Sequence, residues 1–138
     1  SVTRTRLIGC ATFWGRLLRR ESYRQAWHDV VAAARAGHTL HFLSNMPEPY
    51  ADHLSATYPL TEWFESGLFS GRVKQIKPEA EIYAMAERHF GAKPEELLFI
   101  DDHPVNVDAA LSRDWQSFLF TDAASARREL VSRRLLNA

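Results

Sequence analysis

A single cysteine, Cys10, stands in the 138 residues, so no internal disulfide can form and no zinc module built on several thiolates is available. No apolar run approaches the roughly 20 residues that a membrane-crossing helix needs. The glycine-rich nucleotide loops, Gly-x-Gly-x-x-Gly and the Walker type, are missing as well. Neither a repeat nor a low-complexity tract nor an internal linker interrupts the chain. What is present is ordinary: 46% apolar and 25% charged residues, which excludes disorder, collagen and coiled coil. The length suits one domain able to bury a core without staples. The lone thiol fits a reducing compartment, and a cytoplasmic protein with no membrane partner is the expectation. Leu7-Ile8-Gly9-Cys10 has the letters of a lipoprotein cleavage box without the long apolar stretch that should precede it. The chain opens on Ser1, as a processed or altered piece would.

Net charge is zero, but its distribution is uneven. Residues 1–24 carry six arginines (Arg4, Arg6, Arg16, Arg19, Arg20, Arg24) against Glu21 alone. Residues 44–110 hold twelve acidic against five basic residues. A basic opening can be a nucleic-acid arm, though such a stretch is more commonly a solvated face. The acidic middle suits a metal site better than polyanions, so nucleic acid is disfavoured as a partner.

Along the chain, residues 7–13 read as a buried strand or as the start of a helix. Residues 22–36 read as a helix, with Tyr23, Trp27, Val30, Val31 and Ala34 at three- and four-residue steps and Gly37 as the stop. Thr39 to Leu43 is β-prone and ends at Ser44-Asn45-Met46-Pro47. Residues 47–59 read as loop and short helix. Ser66-Gly67 reads as a turn between Trp63-Phe64 and Leu68-Phe69. Lys77-Pro78-Glu79 opens a helix whose apolar face is Ile82, Met85, Ala86 and Phe90, with Gly91 as its end. Leu97 to Ile100 is a run of four apolar residues, as in a parallel strand covered on both faces. A helix starting at Val107, a strand over 115–120 and a helix over 123–136 follow. The four tryptophans, Trp14, Trp27, Trp63 and Trp115, read as core or domain-edge residues. Alternating strands and helices predict an α/β three-layer sandwich around a central parallel, Rossmann-like sheet.

Ligands in such sheets gather at the carboxyl ends of strands. Ser44 and Asn45 end one strand, Asp101 and Asp102 end another, and Lys77 begins a helix between them. Each has a plain reading: Ser-Asn before proline is a turn, a lysine is a surface lysine, and an Asp pair caps the next helix. Together they describe something more specific. Two adjacent carboxylates repel and need a cation or a shared proton, and oxygen donors of this kind suit Mg²⁺. A lysine, a hydroxyl and an amide beside them would hold phosphate oxygens. His38 and His41 would not share a face, so zinc is disfavoured. His103 is a substrate donor or a loop histidine.

Leu40-His41-Phe42-Leu43-Ser44-Asn45 resembles motif II of the haloacid-dehalogenase-like (HAD) hydrolases. Ile76-Lys77-Pro78-Glu79-Ala80-Glu81-Ile82-Tyr83 resembles motif III. Leu98-Phe99-Ile100-Asp101-Asp102-His103-Pro104-Val105-Asn106-Val107 resembles motif IV in its double-Asp form. The spelling is similar to subfamily IA, variant 3, whose members are mostly phosphatases of small phosphorylated metabolites. The resemblance spans residues 24–125. It implies Mg²⁺ on Asp101 and Asp102, Asp102 being the inner ligand, and Asn106 orienting that carboxylate. It further implies Ser44 bonded to the transferring phosphoryl group, Asn45 supporting the loop, Lys77 balancing charge, and a small phosphate monoester as substrate.

The chain departs from the family at motif I, where an Asp-x-Asp should end the first strand. The first aspartate is the nucleophile of these enzymes and the second their general acid and base. Nothing before Ser44 supplies the pair: Asp29 lies in a helical pattern, and the best positional stand-in is Leu7-Ile8-Gly9-Cys10-Ala11-Thr12. Cys10 is then a weak candidate nucleophile, more readily a buried structural thiol. Residues 1–24 are expected as a basic N-terminal segment, either a replacement central strand or a remnant. Residues 25–138 are expected as the HAD-like core, with the cap domain absent or vestigial. The motif I strand lies between those of motifs II and IV, so residues 5–12 or another chain must fill that slot. Whether the chain turns over substrate is therefore in question, and a catalytically inactive metal-, phosphate- or partner-binding module is the rival reading. Oligomeric state and substrate identity are not written in these motifs.

Overall fold

The computed structural model describes residues 4–9, 11–44, 66–69 and 80–137. Residues 7–13 turn out to be both strand and helix: β1 (Arg6–Gly9) is followed at once by α1 (Ala11–Arg19). A single 3-10 turn at Glu21–Tyr23 leads into α2 (Arg24–Arg35), then β2 (Thr39–Ser44) and β3 (Ser66–Phe69). There follow α3 (Ala80–Phe90), β4 (Leu97–Asp101), α4 (Pro104–Ser112), β5 (Gln116–Leu119) and α5 (Ala123–Ser132). Ser66 and Gly67, read as a turn, instead belong to β3. Residues 47–59, Trp63, Phe64 and the helix opening at 77–79 lie outside the described residues.

The strands form one sheet in the order β3-β2-β1-β4-β5, with every neighbouring pair parallel. β1 sits between β2 and β4, with Leu7 level with both Leu40 and Leu98. Parallel strands need cover on both faces, and the alternation of side chains supplies two cores. Leu7, Leu40, Leu98, Ile100 and Phe118 pack with Phe13, Trp14 and Leu17 of α1, Val30 of α2 and Leu130 of α5. Ile8, Leu43, Leu97 and Phe99 pack on the other side with Ile82, Tyr83 and Ala86 of α3 and with Ala110 of α4. This is the expected three-layer α/β sandwich. The β1-to-β2 connection is filled by α1 and α2, which pack on the sheet, and no separate cap domain stands there among the described residues. No described helix is long and apolar enough to cross a membrane.

The packing of α1 on the end of β1 requires a glycine at position 9. A Cβ there would come within 2.6 Å of the Trp14 ring. The indole lies against the bare backbone, and its Nε1 donates to the His41 carbonyl of β2 at 3.1 Å. Asp29, buried on α2, accepts from Gln25 at 3.0 Å and from Arg127 of α5 at 3.0 Å, which ties two helices of one layer.

A second polar cluster joins α3 to the start of β5. Arg113 grips Glu87 with Nε at 2.9 Å and Nη2 at 3.0 Å, and Trp115 Nε1 donates to the same carboxylate at 2.8 Å. Burial pushes the Glu87 carboxyl up, but the Arg113 and Trp115 hydrogen bonds and the guanidinium charge outweigh it and hold it below its ordinary range. A depressed carboxyl stabilises the fold at every pH above the unfolded-state value of about 4.3, and that contribution drains away as pH falls through the lower folded value. Glu87→Gln should therefore cost about 1–3 kcal/mol at pH 7. It should also flatten the loss of stability below about pH 4.3. Urea midpoints measured from pH 7 to pH 3 check both; an unchanged acid slope would contradict the assignment.

Candidate functional site

β4 runs through the interior and delivers two carboxylates where it ends. Asp101 is wholly buried. Its Oδ1 accepts the Asp102 backbone N–H at 2.8 Å, and its Oδ2 accepts Asn106 Nδ2 at 2.9 Å. Asn106 can reach it because α4 starts immediately: His103 is the extended cap residue, and Pro104 takes the first helical position, where no N–H partner is needed. The Tyr83 hydroxyl donates to the Asn106 carbonyl at 3.2 Å, fastening that first turn to α3. Burial first, and then the Asp101 charge, push the Tyr83 hydroxyl far up, so it remains a donor.

Asp102 is about one-third exposed, and its Oδ2 accepts Arg16 Nη2 at 2.7 Å. Its Oδ1 is buried and receives no hydrogen bond. His103 Nδ1 stands 3.1 Å from that oxygen without the direction of a hydrogen bond. The imidazole itself is 65% exposed and lies 3.5 Å from Asp101 Oδ1. Burial acts to raise the Asp102 carboxyl, but its hydrogen bonding with the Asp101 side chain, the Arg16 guanidinium and His103 outweigh burial and hold it low. One ligand atom from each of Asp101, Asp102 and His103 lies within 4.8 Å of the others. Two carboxyl groups side by side, one with a buried oxygen that accepts no hydrogen bond, fit a hard divalent cation.

Of the residues singled out from the sequence, Asp101, Asp102 and Asn106 come together. The Asn106 amide donates to Asp101, not to Asp102 as the resemblance implies. Ser44 closes β2, the strand beside β1, on the same carboxyl edge of the parallel sheet. Cys10, Asn45 and Lys77 lie outside the described residues. His38 and His41 are buried structural groups: His38 Nδ1 accepts the Thr5 N–H at 2.9 Å, and His41 Nε2 lies 2.8 Å from Thr39 Oγ1. Arg16 was not legible as part of this constellation. It belongs to no motif, and its arginine-rich surroundings read as a solvated face; the one pointer is its place just after the strand that fills the central slot.

The sequence model of haloacid dehalogenase-like hydrolases matches residues 5–112. The chain belongs to that family. Among relatives of this HAD-like chain, the rat bifunctional epoxide hydrolase 2 is 38% identical over 71 residues, which are 51% of this chain and 13% of that protein. The chain thus spans about an eighth of that relative's length. An uncharacterized protein from Corynebacterium glutamicum shares the fold over 99% of this chain and 98% of its own, with TM-score 0.80 and 21% identity. A HAD family enzyme from Bacteroides thetaiotaomicron, solved with magnesium and inorganic phosphate, superposes with TM-score 0.60 over 69% of this chain and 51% of its own, at 24% identity.

Proposed function

We propose that this HAD-like chain binds Mg²⁺ at Asp101 and Asp102 and a small phosphate monoester beside it, as a phosphatase of this family would. The observation that carries the reading is the buried, donor-free Oδ1 of Asp102 next to Asp101, whose own oxygens are held by Asn106 and a backbone N–H. The magnesium and phosphate in the Bacteroides enzyme support it. Mg²⁺ in this position supplies positive charge to phosphoryl oxygens. Ser44 is assigned to the phosphoryl group, Asn45 to the support of its loop, and Lys77 to the charge balance. Asn106 fixes the Asp101 carboxylate, and Tyr83 fixes Asn106.

A second reading, binding without turnover, is favoured by a separate observation. β1 fills the central slot between β2 and β4, and the residues that follow it are Cys10-Ala11-Thr12, with no carboxylate to attack phosphorus.

One experiment tests both readings. Mg²⁺-dependent hydrolysis of an aryl phosphate is measured beside Mg²⁺ and inorganic phosphate binding, for the wild type, Lys77→Ala and Asp102→Asn. Turnover lowered at least tenfold by both substitutions supports the phosphatase. Binding that Asp102→Asn removes, with no turnover even at high protein concentration, supports the binding module. Turnover and binding indifferent to both substitutions would reject the site.

A further inference from the structure

We propose that Arg16 is a built-in cation of this site, seated on Asp102 so that a divalent metal must displace it. The inference rests on the Mg²⁺ reading above and adds a competitor to it. Adjacent carboxylates need positive charge nearby. Among the described residues, the fixed positive charge in contact with the pair is the Arg16 guanidinium, 2.7 Å from Asp102 Oδ2. The contact closes a separation of 86 residues along the chain, so it is not a by-product of local geometry. It exists because α1 begins at Ala11, two residues after the end of β1, and carries Arg16 to the carboxyl edge of the sheet.

Three features make the contact exchangeable rather than structural. Arg16 and Asp102 are 30% and 32% exposed, and an ion pair so open to water contributes little to stability. The guanidinium engages one carboxylate oxygen of Asp102, while the buried one accepts no hydrogen bond and has the exposed His103 imidazole 3.1 Å away. Arg16 and Asp102 also line a cavity of about 130 Å³ together with Tyr23 and Phe120, which is room for a displaced guanidinium. Arg20, on the same cavity, is held elsewhere: its Nη1 donates to the Tyr23 hydroxyl at 3.3 Å, and its guanidinium lies 5.2 Å above that ring. Arg16 alone of the two arginines is placed to compete.

The test is calorimetric titration of Mg²⁺ into the whole chain at fixed ionic strength, for wild type, Arg16→Gln, Arg16→Lys and Arg20→Gln. Removing a positive charge this close to the ligands should tighten Mg²⁺ binding about five- to tenfold in Arg16→Gln. Arg16→Lys, which keeps the charge without the planar fork, should fall between that variant and wild type. Arg20→Gln should stay within about twofold of wild type, since its charge is farther away and turned toward Tyr23. Unchanged or weaker Mg²⁺ affinity in Arg16→Gln, with wild type binding the ion, would overturn the proposal and make Arg16 a prop for Asp102. If neither wild type nor Arg16→Gln takes up Mg²⁺ at millimolar concentration, the metal reading itself fails and the competitor goes with it.

Discussion

Asp102→Asn should lower Mg²⁺ affinity by about a hundredfold and leave the fold nearly as stable as before. Even partners one shell removed from a metal change affinity ten- to a hundredfold, and the substitution removes the charge and halves the oxygens of the group assigned as the inner ligand. The stability side follows from exposure. The Arg16–Asp102 pair is about one-third exposed, so its loss costs under about 1 kcal/mol. A melting temperature that rises with Mg²⁺ in the wild type should become insensitive to the ion in the variant, because a ligand stabilises only a fold that binds it. Retained Mg²⁺ stabilisation in Asp102→Asn would show that the ion sits elsewhere.

The contrast between Asp102 and Arg16 shows what a sequence can and cannot carry about such a site. Asp101, Asp102 and Asn106 lie within six residues, on a strand end and the first helical turn after it. Their mutual placement is set by local backbone geometry, and their spacing expresses it directly. Which carboxylate takes the Asn106 amide is a matter of rotamers: the resemblance implies Asp102, and the amide donates to Asp101. Arg16 reaches Asp102 only because β1 and β4 are neighbours in the sheet. No spacing within the chain encodes a contact of that kind.

Helix ends divide the same way. α2 and α3 stop where glycine announces it: Gly37 and Gly91 sit at φ 111° and 62°, and the next residue bonds back to Ala33 and Glu87 respectively. α4 and α5 end by the same reversal on residues that announce nothing, Asp114 at φ 65° and Arg134 at φ 63°. The Leu135 N–H bonds to the Leu130 carbonyl at 2.9 Å, which returns Leu135 to the core. The helix expected to run to residue 136 therefore closes at Ser132. Leu135 is nonetheless buried, brought to the core by this reversal rather than by a further turn of helix. Strand burial was easier. Four consecutive apolar residues leave β4 few alternatives to a covered parallel strand, and all five of its residues are buried.

The segment before residue 24 carries the heaviest structural demand, and Trp14→Ala should expose it. Trp14 is 2% accessible; its ring meets Phe13 at 5.4 Å and Trp27 at 6.1 Å between centroids. It also covers Gly9 at the end of the central strand, and its Nε1 donates to β2 at His41. Truncating a buried tryptophan costs about 3–5 kcal/mol, a large part of the roughly 5–15 kcal/mol that holds a domain together. Trp14→Phe, which keeps an aromatic body and loses the hydrogen bond, should cost less, about 1–3 kcal/mol. Because β1 joins β2 to β4, its loosening would bare the inner edges of both neighbours. Trp14→Ala should therefore unfold in one transition at lower urea, with no separate early phase for the first helix. A loss under about 1 kcal/mol, or an early transition confined to α1, would mean that the basic N-terminal segment only leans on a core that stands without it. The central place of β1 beside the Asp101–Asp102 pair would then need another occupant.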